Sequence, residues 1–134
     1  MKTTFLPFQI GEQYENWEFD LDYLKEERIK GLDSYLYIKK SFFLQYNARR
    51  IELIFALDIL EVVIMTFEFQ SFSELNQFRE ALQRTFGKKV NLQDEDLKSI
   101  AFKLTDELGL RFTHFPLEYR VNVCYGSEKY LKFI

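Results

Sequence analysis

Apolar and polar positions alternate with a strand period in several stretches of this chain, and two runs are apolar on both alternating sets. Residues 17–22, WEFDLD, place Trp17, Phe19 and Leu21 on one face of an expected strand and Glu18, Asp20 and Asp22 on the other. That first strand is expected over residues 15–24. A charged turn at 25–31 leads to a strand at 34–39, followed by another at 42–47. Residues 50–57 and 59–69 are dense in Ile, Val, Leu and Phe, with a hairpin break between them. In the second run Leu60, Val62 and Ile64 fall on one side and Val63, Met65 and Phe67 on the other. This pattern fits a central strand buried on both faces, and equally one with one face packed on helices and the other on a partner.

Two helices are expected next. Ser71 and Glu74 have the spacing of a capping box; Leu75, Phe78, Leu82 and Phe86 form a helical stripe, and Gly87 is a stop. A second helix is expected from near Asp94, with Leu97, Ile100, Ala101, Leu104 and Leu108 as its stripe and Gly109 as its end. The tail returns to strands at 111–115 and 117–125, with an edge strand at 129–134. Strands joined by short connections imply an antiparallel sheet. The expected fold is one α+β domain over residues 1–134: a sheet of about five to seven strands with both helices packed on one face.

Composition sharpens this picture. Hydrophobic residues make up 47% of the 134 positions and aromatics 18%, with 15 Phe and 8 Tyr, so the core should be built from rings. Cys124 is the lone cysteine, which rules out an internal disulfide. The first ten residues carry one Lys, no long apolar core and no small-residue cleavage site, so no signal peptide is expected. The longest apolar run, residues 60–69, is interrupted by Glu61, Thr66 and Glu68 and is short for a membrane span. A cytoplasmic location follows as the expectation.

Charge is unevenly distributed. The first 27 residues hold seven acidic side chains against Lys2 and Lys25, whereas the remaining 107 hold 14 acidic and 16 basic ones. On a strand, Glu18, Asp20 and Asp22 would form a row of carboxylates roughly 7 Å apart. Charges on the water face of a strand also blunt an edge against aggregation. The functional reading is a surface that docks a basic partner, with Glu15, Glu18, Asp20, Asp22, Glu26 and Glu27 meeting its Lys and Arg. Tyr14, Trp17 and Tyr23 supply neighbouring anchors of the kind enriched in binding hot spots.

Other chemistry finds less support. His114 and Cys124 could meet on adjacent strands, yet no orienting group or oxyanion donor accompanies them. One His and one Cys do not make a structural zinc site, and a strand holds Glu18, Asp20 and Asp22 too far apart to close on one cation. No Gly-rich phosphate loop or G-x-S-x-G turn is present. No catalytic residue, metal or cofactor is assigned. The doublets Lys39-Lys40, Arg49-Arg50 and Lys88-Lys89 read as solvated element ends, and direct nucleic-acid binding is not expected at a pI near 5.3. Asp94, Glu95 and Asp96 read as helix-terminal charge.

Residues 17–22, 57–68 and 71–82, in a small, acidic, aromatic-rich α+β chain, resemble small bacterial immunity proteins that accompany polymorphic toxins, including contact-dependent and secreted ones. The resemblance implies a non-enzymatic inhibitor that binds a cognate toxin domain, often a basic nuclease, by covering its active site or a nearby surface. Two alternatives stand beside it: a small-molecule module with a Phe-lined pocket between sheet and helices, and a dimeric structural or regulatory protein pairing through the edge at Tyr130 to Ile134.

Overall fold

A computed structural model describes residues 6–87, 89–90, 99–115 and 117–134. The chain is α+β, and its frame is an antiparallel sheet. The strands are β1 (Leu21–Leu24), β2 (Asp33–Tyr37), β3 (Phe42–Phe43), β4 (Tyr46–Asn47), β5 (Arg50–Ala56), β6 (Ile59–Glu68), β7 (Lys89–Val90), β8 (Ile100–Lys103), β9 (Leu108–His114) and β10 (Arg120–Ser127). The main sheet runs β1-β2-β5-β6-β10-β9-β8-β7, with β3 and β4 as a separate hairpin. Seven of its strands have four or more residues, and the two-residue β7 extends one edge.

Strand β6 lies mid-sheet, between β5 and β10, and is buried on both faces as its double apolar pattern requires. Val63, Met65 and Phe67 face the larger core; Val62 and Ile64 face a smaller one with Ile54, Cys124 and Leu131. Leu60 departs from its expected partners. A register shift sets Phe55 opposite Leu60 while Ile54 opposes Val62, so Leu60 turns into the larger core.

Helix α1 (Phe72–Phe86) forms where expected. The Ser71 hydroxyl accepts from the Glu74 backbone N–H at 3.2 Å, and the N–H of Gly87, at φ +60°, bonds back to the Gln83 carbonyl. Its buried stripe is Leu75, Phe78 and Leu82. The Phe78 ring sits 4.9 Å from Phe67 and 5.2 Å from Tyr46, which brings the β3–β4 hairpin onto the same face. This aromatic layer lies between the sheet and the helix.

The second expected helix is not formed in its described part. Residues 94–98 lie outside the described residues, and Ile100–Lys103 is strand β8, paired with β9. Ile100 and Phe102 pack into the larger core while Ala101 faces the other way opposite Arg111, so period-two pairing overrides a stripe equally compatible with a helix. The tail also differs. Residues 128–131 form a short helix, α2 (Glu128–Leu131), rather than an edge strand. Its Leu131 packs on the smaller core, so the two helices take opposite faces of the sheet.

The N-terminal segment crosses the larger core as an irregular strap. The buried Tyr125 hydroxyl accepts from the Phe8 N–H at 3.0 Å and donates to the Phe8 carbonyl at 2.8 Å. Further along, Gly11 N–H bonds to Leu60 O, Leu60 N–H to Glu12 O, and Tyr14 N–H to Asp58 O, at 2.8–2.9 Å. The strap is thereby tied to β10 and to the β5–β6 hairpin.

Candidate functional site

The acidic segment is not the expected strand over residues 15–24. Tyr14–Asn16 and Glu18–Asp20 form two 3-10 turns, and only Leu21–Leu24 is extended, as edge strand β1. The cause is docking of the strap's aromatics. Trp17 sits half-buried with its ring 5.9 Å from Phe8 and 6.1 Å from Phe55, and Tyr14 lies 5.6 Å from Phe55. Holding both rings against Phe55 tightens the chain between them. The turned backbone then leaves Phe19 88% exposed, away from Trp17 and Leu21, with which it was expected to share a face.

The even row of Glu18, Asp20 and Asp22 is therefore not formed. Glu18 and Asp20 belong to a turn, and Asp22 alone sits on a strand. Glu15, Glu18, Asp22, Glu26 and Glu27 are exposed. Asp20 is half-buried and pairs with Lys39 Nζ at 3.2 Å. Glu27 accepts from the Gly31 N–H at 3.0 Å, and Glu12 from the Asn16 amide at 2.9 Å. The carboxylates are divided between the two turns, β1 and the turn after it, and are not aligned.

Sheet register assembles something the sequence did not display. Tyr23 on β1 opposes Tyr35 on β2, which opposes Leu53 on β5. The Tyr35 ring lies 5.5 Å from Tyr23, 5.2 Å from Tyr14 and 5.7 Å from Phe55. Burial pushes the Tyr35 hydroxyl above its ordinary range, and Tyr14, Asp33, Asp58 and Tyr23 push it further. Three tyrosines thus gather at one end of the sheet edge, within the field of exposed Asp33 and Asp58. Tyr23 is 60% exposed. Tyrosine faces beside carboxylates suit the guanidinium or ammonium of a basic side chain. Tyr14 and Tyr23 were legible as candidates. Tyr35, Asp33 and Asp58 were not, and their only prior signal was the alternation of β2 and a turn at residue 58.

Glu26 and Glu27 line a separate open cleft of about 520 Å³ with Leu24, Lys25, Arg28, Arg50 and Glu52. At its floor Glu52, on β5, is 2% exposed. Arg28 grips it with two hydrogen bonds, Nη2 to Oε1 at 2.8 Å and Nε to Oε2 at 3.0 Å, and Arg50 Nη2 stands 3.5 Å away. The bond to Glu52 raises the Arg28 pKa above its ordinary value, burial opposing it. This pair pins the turn after β1 to the sheet and thereby places Glu26 and Glu27.

Two of the three basic doublets meet. Lys39, Lys40, Arg49 and Arg50 line a groove of about 250 Å³ between the end of β2 and the start of β5. Three of these cations have carboxylate partners: Lys39 with Asp20, Arg49 with Glu68 at 3.4 Å, and Arg50 with Glu52. In the third doublet Lys88 lies outside the described residues, as do Asp94, Glu95 and Asp96.

His114 and Cys124 do not assemble. His114 opposes Val121 on the larger-core side and its Nε2 lies 2.8 Å from the Glu118 carbonyl oxygen. Cys124 opposes Arg111 and belongs to the smaller core, where burial pushes its thiol up to about 12. Among the described residues no three His, Cys, Asp or Glu side chains gather as metal ligands, and no helix is long and apolar enough to cross a membrane. The expected pairing edge at Tyr130 to Ile134 is absent as a strand, its first residues lying in α2.

No protein-family model, curated protein or solved structure matches this chain.

Proposed function

We propose that this chain is a non-enzymatic, immunity-type inhibitor that binds a basic toxin domain in the cytoplasm through its acidic, tyrosine-bearing sheet edge. The observation that carries the reading is the cluster of Tyr14, Tyr23 and Tyr35 under the field of Asp33 and Asp58, at the open end of β1. Tyr and Trp bury large rigid areas with little loss of conformational freedom, and the surrounding carboxylates speed encounter with a cation-rich surface. Exposed Glu15, Glu18, Asp22, Glu26 and Glu27 add negative charge along the segment that runs into and out of β1. Among the described residues β1 is the end strand of the sheet, and its outer edge offers backbone donors and acceptors that a partner strand can use. Inhibition then needs only occlusion, and the chain supplies no chemistry of its own.

The test has two steps. The tagged chain, expressed in its native host, is expected to retain one basic polypeptide encoded beside it, and the combined Glu15→Lys, Asp22→Lys, Tyr23→Ala variant is expected to lose it. That polypeptide, produced alone, is expected to arrest growth, and co-production of the wild-type chain to restore it. Retention by the variant, or a captured protein that is harmless, overturns the proposal.

A further inference from the structure

Both two-residue hairpins of this fold turn through positive φ at residues other than glycine. In β3–β4 the turn is Leu44-Gln45, at φ +51° and +72°; in β5–β6 it is Leu57-Asp58, at φ +50° and +66°. Such turns favour Asn-Gly, because a leucine in the left-handed region crowds its own carbonyl. Leu44 has a visible compensation: its side chain packs against the larger core. Leu57 has none among the described residues, since it is 97% exposed. A leucine at positive φ is unfavourable in backbone conformation, and a fully solvated side chain recovers nothing by burial to offset it.

Its surroundings point to what would cover it. Asp58 follows it in the turn, and the Asp58 carbonyl holds the Tyr14 N–H, which brings the start of the acidic strap to the hairpin. Asp58 also acts on Tyr35, so the tip adjoins the tyrosine cluster, and Asp33 opposes Phe55 two residues from Leu57. An exposed apolar side chain with Asp58 beside it and Asp33 at the same end of the sheet complements an apolar socket flanked by Lys or Arg.

We propose that Leu57 is the apolar anchor with which this chain enters a pocket on its basic protein partner, the strain of the turn serving to hold that side chain outward. The inference rests on the partner-binding reading above and adds the residue that sets its specificity. Leu117 provides an internal control. It too is fully exposed at positive φ, +69°, but it lies at the opposite end of the sheet, between β9 and β10.

The experiment uses the full chain in its native host. The photoreactive residue p-benzoylphenylalanine replaces Leu57, Tyr23 or Leu117, one at a time, and the cells are irradiated. The Leu57 and Tyr23 positions are expected to give an adduct with the same basic polypeptide, and the Leu117 position none with it. With that polypeptide purified, Leu57→Asn is expected to weaken binding about tenfold or more, while Leu57→Met stays within about threefold. Because Asn tolerates positive φ, the same Leu57→Asn change should leave the thermal midpoint unchanged or higher, which separates an anchor from a structural residue. An adduct from Tyr23 but none from Leu57, an adduct of Leu57 with a second copy of this chain, or wild-type affinity in Leu57→Asn overturns the inference and leaves the function standing. No adduct from either position overturns the function, and the inference with it.

Discussion

Arg28 and Glu52 form a two-pronged pair, at 2.8 and 3.0 Å, in which the carboxylate is almost wholly buried and the guanidinium is half in water. The asymmetry fixes which partner is costlier to orphan. Glu52 sits in the sheet beside Ile54 and Ile64, where an ion without its partner is strongly unfavourable.

Arg28→Ala is therefore expected to destabilise the fold by about 2 kcal/mol, Arg50 at 3.5 Å covering part of the loss. The joint replacement Arg28→Met with Glu52→Leu should be nearly neutral, because no buried charge is left behind and Arg50, which loses its partner, is half in water. Urea midpoints at constant m value measure both. A single substitution with no effect would show that the pair does not hold the turn.

Tyr125→Phe is expected to cost about 1–3 kcal/mol, since it leaves both the N–H and the carbonyl of Phe8 without their shared partner in the core. Amide exchange reads out the location as well as the size. Protection should fall at Phe8 and through the strap near Gly11 to Trp17 before it falls in β5 or β6.

Alkali should destabilise the protein through Cys124 and Tyr125. The Cys124 thiol moves from an ordinary 9.0 to about 12 on folding, and burial is the largest cause. Its contribution is intact below pH 9 and is lost as pH rises from 9 towards 12, because only the unfolded thiol ionises across that window. Tyr125, raised mainly by burial with the Phe8 backbone bond opposing, acts in the same direction above its ordinary 10.0. Thermal midpoints should fall between pH 9 and 11, and Cys124→Ala should flatten the slope by up to about 1.4 kcal/mol per pH unit. An unchanged slope in that variant would refute the assignment.

Where local pattern and tertiary pairing agree, the sequence was readable. Strands β5 and β6 are dense in Ile, Val, Leu and Phe, and the Ser71, Glu74 and Gly87 signals bracket α1 correctly. Residues 17–22 misled because their alternation is short and two aromatics, Tyr14 and Trp17, gain more by reaching Phe55 than by staying extended. Ile100, Ala101 and Leu104 fit a helical stripe as well as a strand, and pairing with β9 decides. Part of the candidate surface was legible as charge and aromatic content, namely Tyr14, Glu15, Asp22 and Tyr23. Tyr35, Asp33, Asp58 and Leu57 were not, because only the β1-β2-β5-β6 order and its register bring them to one end.

The strap has one more consequence, which concerns the order of manufacture. Its ties run to Asp58, Leu60 and Tyr125, so the ribosome makes the first residues of the proposed docking flank long before their last fastening exists. The β5–β6 hairpin can zip locally, whereas the tie from Phe8 to Tyr125 must wait for a loop of more than a hundred residues to close, a slow step for any chain. A nascent chain paused before residue 125 would hold its acidic head by the Asp58 and Leu60 ties alone, and the fastening of Phe8 to Tyr125 would come as one of the final events of folding.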